Sequence, residues 1–314
     1  MSRILITGGA GFVGSNLAER LLADGHEVTV FDDLSAGSLE FLRDCNSYPG
    51  FRFIRGDLLA AGEIGEAMSG HEVVFHLAAN SDIEKGRRES DRDLRLGTLA
   101  TFSVLDAMRQ HGIRQLVFSS SSVVYGEPTS IPTAENYGPL LPISLYGASK
   151  LACEGLISAF AHNYGIQAWI FRFANICGRH GTHGAIVDFI RKLRANPARL
   201  EVLGNGRQAK PNLHVSECVD GMVFGWRHAT DTVNYFNLGC DGATSADDIA
   251  CFVIEAMNLR SVDVVHTGGE RGWPGDVPQV RLDCARMAAL GWSAKLTSNE
   301  AVRRASRELV QEIA

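Results

Sequence analysis

The chain has 314 residues, of which 45% are hydrophobic and 21% charged, and its formal net charge is -6. This length and composition suit a globular α/β protein that can bury a sizeable core. Acidic and basic residues are mixed along the chain without a block of Lys or Arg, which argues against nucleic acid or an anionic membrane as the main partner.

The seven cysteines lie at least eleven positions apart. This spacing excludes CxxC-type zinc or redox motifs and a dense disulfide framework. The chain begins with MSRILITGG, and no run of about 18 apolar residues occurs in it. We therefore expect no metal site and a reducing, cytoplasmic setting.

Over the first 175 residues, short runs rich in β-branched and aromatic residues alternate with longer helical patterns. Several of these runs are apolar almost throughout, as in strands buried on both faces of a parallel sheet. The predicted strands are Arg3–Thr7, Glu27–Asp32, Phe51–Arg55, Val73–Ala78, Gln115–Ser119 and Gln167–Phe173, with helices near 14–23, 91–111 and 145–164. The alternation predicts right-handed βαβ units in a doubly wound parallel (Rossmann) sheet.

After Asn175 the pattern changes, and Gly and His accumulate in CGRHGTHG. The later elements are a helix at 185–194, short apolar runs near 201–203 and 233–238, and helices near 244–258 and 299–312. No internal repeat or long linker separates the two parts. We expect a cofactor-binding domain over 1–175 and a smaller α/β substrate-binding lobe over 176–314, with some chain crossing back.

A glycine-rich segment, Thr7-Gly-Gly-Ala-Gly-Phe-Val-Gly14, directly follows the first strand and precedes a helical pattern. Gly8, Gly11 and Gly14 allow a tight turn and the close approach of a diphosphate to the helix N-terminus. Asp32 ends the second strand about twenty residues later, where its carboxylate can accept hydrogen bonds from a ribose and would repel a 2′-phosphate. The pattern predicts NAD rather than NADP.

The segment Tyr146-Gly-Ala-Ser-Lys150 stands at the start of a helical pattern. Residues four apart share a helix face, so an ammonium lies near a phenol. A free phenol has a pKa of about 10, and a neighbouring Lys and a cationic nicotinamide would lower that pKa until the phenolate is a usable base. Alone, such a pair is more often solvated helix surface.

The segment Phe118-Ser-Ser-Ser-Ser-Val-Val-Tyr-Gly126 follows the fifth strand. It carries hydroxyls to the carboxyl end of a parallel sheet, where ligands of such folds bind. Alone, it would be read as a polar turn. The segment stands about a hundred residues after the glycine-rich segment and about twenty-five before the Tyr-Lys pair.

These three elements, in this order, resemble the extended short-chain dehydrogenase/reductase family, the NAD-dependent sugar epimerases and dehydratases. The resemblance covers essentially the whole chain. Other matching motifs are Gly56-Asp57-Leu58, His76-Leu-Ala-Ala79, Arg172-Phe-Ala-Asn175, Leu213-His-Val215 and Arg271-Gly-Trp-Pro-Gly-Asp276.

The resemblance implies that Tyr146 takes the proton from a sugar 4-hydroxyl while the C4 hydride moves to NAD. Lys150 would hold the ribose and lower the pKa of the phenol, and Ser121 would bind the oxygen that becomes a carbonyl. Dehydratases and decarboxylases carry a Glu where this chain has Val123, and hexose dehydratases an Asp where it has Ser122. Because no added acid or base stands here, the pattern is similar to 4-epimerases that interconvert UDP-glucose and UDP-galactose through a transient 4-keto sugar.

The resemblance also implies binding residues. Those for the cofactor are Gly8, Gly11, Phe12, Val13, Asp32, Asp57, Leu58, Ala78, Ala79, Tyr146, Lys150 and Phe173. Those for the substrate are Ser121, Asn175, Glu201, Val202, Leu203, Lys210 and Arg271. Within the second set, Glu201–Leu203 match a strand that contacts uracil through its backbone, whereas Lys210 and Arg271 are candidates for the diphosphate. The chain departs from the family pattern in two places: Lys210 replaces the usual Arg, and Gly97 falls where an Asn is usual.

The charge pattern leaves the sugar open. Asp82 and Glu84, which follow HLAAN, would repel a glucuronate carboxylate if they lay in the pocket. Four basic residues point the other way, since each could pair with a carboxylate: Arg179, His180, His183 and Arg191. The alternatives are therefore UDP-glucuronate 4-epimerase and then a dehydratase or reductase of the same family.

A cofactor-binding protein without catalysis is the alternative from another class, and the presence of Ser121, Tyr146 and Lys150 argues against it. A reductase would need stoichiometric NAD(P)H, whereas an epimerase turns over with the NAD that it holds. The family resemblance further implies a homodimer formed through the helices near 94–111 and 145–163.

Overall fold

The computed structural model describes residues 1–60, 62–80, 82–269 and 280–313. The chain forms two compact units. The first unit contains Met1–Glu127, Tyr137–Arg172 and Met222–Phe236, and the second contains Pro128–Asn136, Phe173–Gly221 and Asn237–Ala314. The chain passes from the first unit to the second near residue 173. In addition, residues 128–136 belong to the second unit and residues 222–236 to the first.

The strands of the described residues are, in chain order, β1 (Arg3–Thr7), β2 (Glu27–Asp32), β3 (Phe51–Arg55), β4 (Val73–His76), β5 (Gln115–Ser121), β6 (Gln167–Phe173), β7 (Asn175–Cys177), β8 (Arg199–Val202), β9 (Ala209–Lys210), β10 (Asn212–His214), β11 (Val233–Leu238), β12 (Thr244–Ser245) and β13 (Asp263–His266). Seven of them form the central sheet in the order β11-β6-β5-β4-β1-β2-β3. The pairs from β5 through to β3 are parallel. The prediction of a doubly wound parallel sheet is confirmed.

The helices are α1 (Phe12–Ala23), α2 (Glu63–Met68), α3 (Ile83–Arg88), α4 (Ala100–His111), α5 (Leu145–Tyr164), α6 (Ala185–Ala195), α7 (Val215–His228), α8 (Ala246–Ala256), α9 (Ala285–Leu290) and α10 (Ser298–Glu312). Side-chain caps explain where several of them begin. The Ser144 hydroxyl accepts a hydrogen bond from Gly147 N at the start of α5, and Thr297 and Glu300 form a capping box at the start of α10.

The core of the first unit attaches α4 and α5 to the sheet. Four of the five residues of β1 are buried, as expected of a strand covered on both faces. Val104 of α4 and Ile157 of α5 have no exposed surface and belong to one apolar cluster with Leu116 and Phe118 of β5. Burying each such side chain stabilises the fold by about 1.5–3 kcal/mol, so the packing fixes α5 against the end of β5.

The described residues of the second unit form three small two-stranded sheets: β7 with β10, β9 with β12, and β8 with β13. The β7–β10 and β8–β13 pairs are parallel, and the β9–β12 pair is antiparallel. Helices α6, α8 and α10 enclose a separate apolar cluster that includes Ile190, Val253 and Val302.

Several helices differ from the sequence-based prediction. The predicted helix near 91–111 is divided, because a π-helical turn over Leu94–Leu99 precedes α4. Helices α2, α3, α7 and α9 were not predicted, and Gly221 lies inside α7. A Cβ at Gly221 would lie 2.6 Å from Leu238 Cδ1, so the packing of the helix requires this glycine.

Candidate active site

The glycine-rich loop between β1 and α1 is held in its shape by close backbone packing. Gly8 has a φ of +72°, and a Cβ there would lie 2.6 Å from Ala78 N. A Cβ at Gly14 would lie 2.3 Å from Gly8 O. Gly8 and Gly14 are therefore required by the fold itself.

Gly11 differs from these two glycines, because its φ of -81° is open to any residue. Apart from the atoms of its two neighbours in the chain, only Gly8 O, at 3.3 Å, is a described atom within 4 Å of a Cβ built at Gly11. Gly11 caps α1 without a side-chain hydrogen bond, and the first turn, with Phe12 and Val13, has no acidic residue. No side chain of this turn therefore caps or neutralises the positive N-terminal end of α1, an arrangement that fits a diphosphate.

Asp32 lies at the carboxyl end of β2, and 8% of the residue is exposed. Its Oδ2 accepts a hydrogen bond from Ala10 N at 3.0 Å, and its Oδ1 accepts one from Leu34 N at 2.8 Å. Burial raises the pKa of the carboxyl, and the two backbone donors oppose that rise. Each oxygen keeps a further lone pair, so the fixed carboxylate fits a ribose hydroxyl.

The other predicted cofactor residues follow the strands of the sheet. Asp57 is exposed and Leu58 buried just after β3, and Asp57 N donates to Glu63 Oε2 at 2.8 Å. Ala78 and Ala79 come two and three residues after β4, where the Ala78 backbone packs against Gly8. Phe173 is the last residue of β6 and is assigned to the second unit.

The three predicted catalytic residues meet where β5 ends and α5 begins. The side chains of Tyr146 and Ser121 are hydrogen-bonded. Lys150 Nζ donates to Ser119 O at 2.6 Å and lies 5.8 Å from the centre of the Tyr146 ring. A Cβ at Gly147 would lie 2.9 Å from Val123 O, so the glycine lets α5 approach the serine segment closely.

Burial dominates the protonation of this cluster. Lys150 is 3% exposed, and burial lowers the pKa of its ammonium to about 8. Burial, followed by the charge of Asp93, raises the pKa of Tyr146, and the hydrogen bond with Ser121 lowers it. The sequence pattern predicted a lowered phenol pKa. The protein's own groups together raise the pKa of Tyr146, so a lowered pKa requires positive charge from a bound ligand.

Asp93 is a buried carboxylate of this cluster and was not among the residues predicted from the sequence. Its Oδ1 accepts a hydrogen bond from Asn80 Nδ2 at 2.9 Å. Its Oδ2 has no hydrogen-bond partner in the described part of the chain. No motif points to Asp93, because it lies 53 positions before Tyr146 in the chain.

The structure also accounts for Gly97, one of the two expected departures from the family pattern. A Cβ at Gly97 would lie 2.1 Å from Ser149 Oγ. That hydroxyl donates to Asp93 O at 2.7 Å and lies 3.1 Å from Thr98 Oγ1. The Ser149 hydroxyl thus occupies the volume that a larger side chain at position 97 would need.

Most of the predicted substrate residues lie in the second unit. Asn175, the exposed first residue of β7, is paired in register with Asn212. In the predicted uracil segment, Val202 is buried, Glu201 is exposed and Leu203 is 42% exposed. The backbone oxygens of Glu201 and Leu203 already accept hydrogen bonds, from Lys192 Nζ at 3.1 Å and from Gln208 Nε2 at 2.6 Å. Lys210 ends β9, opposite Thr244, and Arg271 lies outside the described residues.

The charged residues that the sequence left open are engaged with their neighbours. Glu84 accepts hydrogen bonds from Arg87 and Arg88, which hold its pKa at about 2. Arg179 Nε lies 3.8 Å from Glu312 Oε1, and Arg191 is exposed on α6. Neither the acidic residues nor the basic residues that were considered therefore identify the sugar.

The described residues contain no group of three or more His, Cys, Asp or Glu placed to hold a metal ion. Their helices include none with the length and apolar character needed to cross a membrane.

Comparison with known proteins identifies the class. Residues 4–239 match the model of the NAD dependent epimerase/dehydratase family. The chain is 31% identical over 307 residues to a UDP-glucose 4-epimerase of Mycolicibacterium smegmatis, with 96% of each chain covered. The protein belongs to the NAD dependent epimerase/dehydratase family.

Solved structures agree with this assignment. A crystal structure of a UDP-galactose 4-epimerase superposes with a TM-score of 0.89 at 36% identity, covering 99% of this chain and 100% of the other. MoeE5 in complex with UDP-glucuronic acid and NAD gives a TM-score of 0.87 at 27% identity, with the same coverage. The predictions of the family, of an NAD-dependent isomerase and of NAD as cofactor are confirmed. The individual site residues stay predictions.

Proposed function

We propose that this protein is a sugar-nucleotide 4-epimerase that interconverts UDP-glucose and UDP-galactose. The observation that carries the proposal is the cluster of Ser121, Tyr146 and Lys150 with an apolar residue at Val123. A second acid or base at that position is what dehydration or decarboxylation would need. Similarity to UDP-glucose and UDP-galactose 4-epimerases over nearly the whole chain supports the choice of sugar.

The residues around the glycine-rich loop fit the cofactor. We assign the diphosphate to Gly8, Gly11 and the first turn of α1, and the adenosine ribose to Asp32. By family resemblance, Asp57 and Leu58 meet the adenine, while Ala78, Ala79 and Phe173 meet the nicotinamide end. When bound, NAD supplies the centre that takes a hydride from C4 of the sugar and returns it.

The protein's own part in the reaction is a proton transfer at the 4-hydroxyl. Tyr146 Oη accepts the proton as the C4–O bond becomes a carbonyl, and it gives the proton back when the alcohol re-forms with the opposite configuration. Ser121 Oγ donates a hydrogen bond to the same oxygen as negative charge develops on it. Lys150, as an ammonium beside the ring, stabilises the phenolate. All three groups end the cycle in the state in which they began.

We assign the UDP portion of the substrate to residues of the second unit and to one residue outside the described part. By family resemblance, Asn175, Lys210 and Arg271 bind the diphosphate, and Glu201–Leu203 contact the uracil. Lys210 offers a point charge in place of the bidentate fork of an Arg. We therefore expect its share of the phosphate binding to be modest.

UDP-glucuronate is the second candidate substrate. It is suggested by the similarity to MoeE5, whose structures contain UDP-glucuronic acid in one case and UDP-glucose in another. Charge alone does not choose between the sugars, since Glu84 is held by Arg87 and Arg88 and Arg179 lies near Glu312.

The test is product analysis after incubation with UDP-glucose, UDP-glucuronate and UDP-N-acetylglucosamine, without added nucleotide. We expect conversion of UDP-glucose to UDP-galactose, and Tyr146→Phe should lower kcat by about a thousandfold while UDP-sugar binding persists. A need for stoichiometric NAD(P)H would indicate a reductase instead. Unchanged turnover of the Tyr146→Phe variant would remove the tyrosine from the role of base.

We also propose a homodimer. Large apolar side chains are exposed on and near α4 and α5: Leu94, Leu99, Phe102, Leu145 and Tyr164. Burial of such side chains against a second copy would remove them from water. The mass in solution scattering tests this, and Phe102→Glu should shift the protein towards the monomer.

The free state of all seven cysteines supports the further proposal of a reducing, cytoplasmic location.

A further inference from the structure

Three successive serines of β5 contact three residues that lie one turn apart on α5. The contacts are the hydrogen bond between Ser121 and Tyr146, that from Lys150 Nζ to Ser119 O at 2.6 Å, and that from Ser120 Oγ to Glu154 Oε1 at 2.5 Å. The first two contacts involve the residues of the proposed reaction. The third involves Glu154, to which no role has been given.

Glu154 is a buried carboxylate with a strong partner. The residue is 8% exposed, and Arg172 is 6% exposed. Arg172 donates to it through two nitrogens, from Nε to Oε1 at 3.0 Å and from Nη2 to Oε2 at 2.7 Å. The guanidinium also donates from Nη1 to Tyr125 Oη at 2.9 Å. A buried pair with this bidentate geometry has few alternative arrangements, so β5, β6 and α5 are tied together at one point.

Glu154 also contributes to the electrostatics of Lys150. Burial lowers the pKa of Lys150, whereas Cys153, Glu154 and Asp93 raise it. From β4, His76 also lies within range of the Lys150 charge. Since the pKa of Lys150 is about 8, a small change in these contributions alters its charge near neutral pH.

We propose that Glu154 is a positioning residue: through Ser120 and Arg172 it holds α5 in register with β5, and its charge keeps Lys150 an ammonium beside Tyr146. The proposal rests on the proposed epimerase function for its effect on turnover. Its effect on Lys150 is independent of the substrate. Glu154 thereby adds a third residue to the Tyr-Lys pair of the sequence motif, one helical turn after Lys150. Ser120 and Arg172 are its partners on the neighbouring strands.

The direct test is the titration of Lys150 by NMR in protein that carries carbon-13 at lysine Cε. The chain has five lysines, and a Lys150→Arg variant assigns the signal. In Glu154→Gln we expect the Lys150 titration midpoint to fall by about one pH unit, because a nearby negative charge is removed. An unchanged midpoint in a folded variant would overturn the proposal.

The kinetic test is the pH profile of kcat for the same variant. Loss of the Lys150 proton should move the alkaline limb to lower pH by about one unit, with little change in KM. Ser120→Ala is the matched control, since it removes the hydrogen bond and keeps the charge. It should lower the unfolding temperature and leave the alkaline limb where it is. An equal shift of the limb in Ser120→Ala would overturn the electrostatic part of the proposal.

Glu154→Gln leaves the Arg172 charge buried without its partner, which can prevent folding. The double variant Glu154→Gln, Arg172→Gln removes both charges and keeps the test available. In it the Lys150 midpoint should fall by less than in Glu154→Gln, because the opposing charge of Arg172 is removed as well, and an unchanged midpoint would overturn the proposal. If the wild-type protein converts no UDP-sugar, the proposed function fails, whereas the NMR titration still decides the role of Glu154.

Discussion

Each of the two units contains a glutamate bonded to basic side chains, and the two clusters differ in how far they are buried. In the first unit Glu154 is held by Arg172, and 9% or less of either side chain is exposed. In the second unit Glu308 accepts from His214 Nε2 at 3.0 Å and from Arg304 Nε at 2.9 Å, and 27% of its side chain is exposed. Salt and water screen charges at a partly exposed site more than at a buried one. Loss of a charged partner should therefore cost more stability in the first cluster than in the second.

The comparison predicts its largest effect at Arg172. Replacement of Arg172 by Met leaves the Glu154 carboxylate buried without its charged partner, so the free energy of unfolding should fall by about 3–5 kcal/mol. Urea denaturation measures this loss. The double variant Arg172→Met, Glu154→Leu should recover most of it. A loss below about 1 kcal/mol in the single variant would mean that the buried pair is no stronger than an exposed one.

An intermediate effect is expected at Glu308. Burial raises the pKa of this carboxyl, but hydrogen bonds and charges from His214 and Arg304 outweigh burial, so the pKa lies below its ordinary value of 4.5. A depressed pKa means that the contribution to stability is complete above 4.5 and is lost as the pH falls through the folded-state value. Glu308→Gln should cost about 1 kcal/mol at neutral pH.

The pH dependence separates the Glu308 cluster from the Arg172 cluster. In Glu308→Gln, the stability difference between about pH 7 and about pH 4 should be smaller than in the wild type, as measured by urea unfolding at both pH values. If the variant loses stability in acid as steeply as the wild type does, the cluster does not carry the pH dependence assigned to it.

The smallest effect is expected at an exposed pair, which serves as the reference for both clusters. Lys192 Nζ and Asp188 Oδ2 lie 2.8 Å apart on α6, with 30% and 49% of their side chains exposed. Asp188→Asn should change the free energy of unfolding by less than about 0.5 kcal/mol, and added salt should reduce even that difference. If Asp188→Asn lowered the free energy of unfolding as much as Glu308→Gln does, burial would not determine how much these pairs contribute to stability.

The parts of the molecule that the sequence predicted are those with local causes. Gly8, Asp32, Tyr146 and Lys150 follow from spacing along a strand or a helix, and the first six strands were found from their apolar, β-branched composition. Glu154 lies four residues after Lys150, so helical periodicity could have placed it on the same face. Its importance depends on Arg172, which another strand brings to it, and no local pattern reports that pairing.

The remaining differences also come from contacts between distant segments. Gly221 lies inside α7 because a side chain there would meet Leu238, a packing constraint that local preference does not report. The π-helical turn at Leu94–Leu99 was likewise not visible in the local pattern. Asp93 was missed because it lies 53 positions before Tyr146 in the chain. The charge that Asp93 adds accounts for part of the difference between the expected and the observed direction of the Tyr146 pKa.

The contact between Gly97 and Ser149 has a consequence for how this sequence can change over generations. One volume serves two residues, so substitutions at these positions are epistatic: Asn at 97 is admissible only after the hydroxyl of Ser149 has rotated away or been lost. Either event gives up the hydrogen bond to Asp93 O. A change from glycine to asparagine at position 97 therefore passes through a state without this hydrogen bond, and we expect the two residues to exchange rarely.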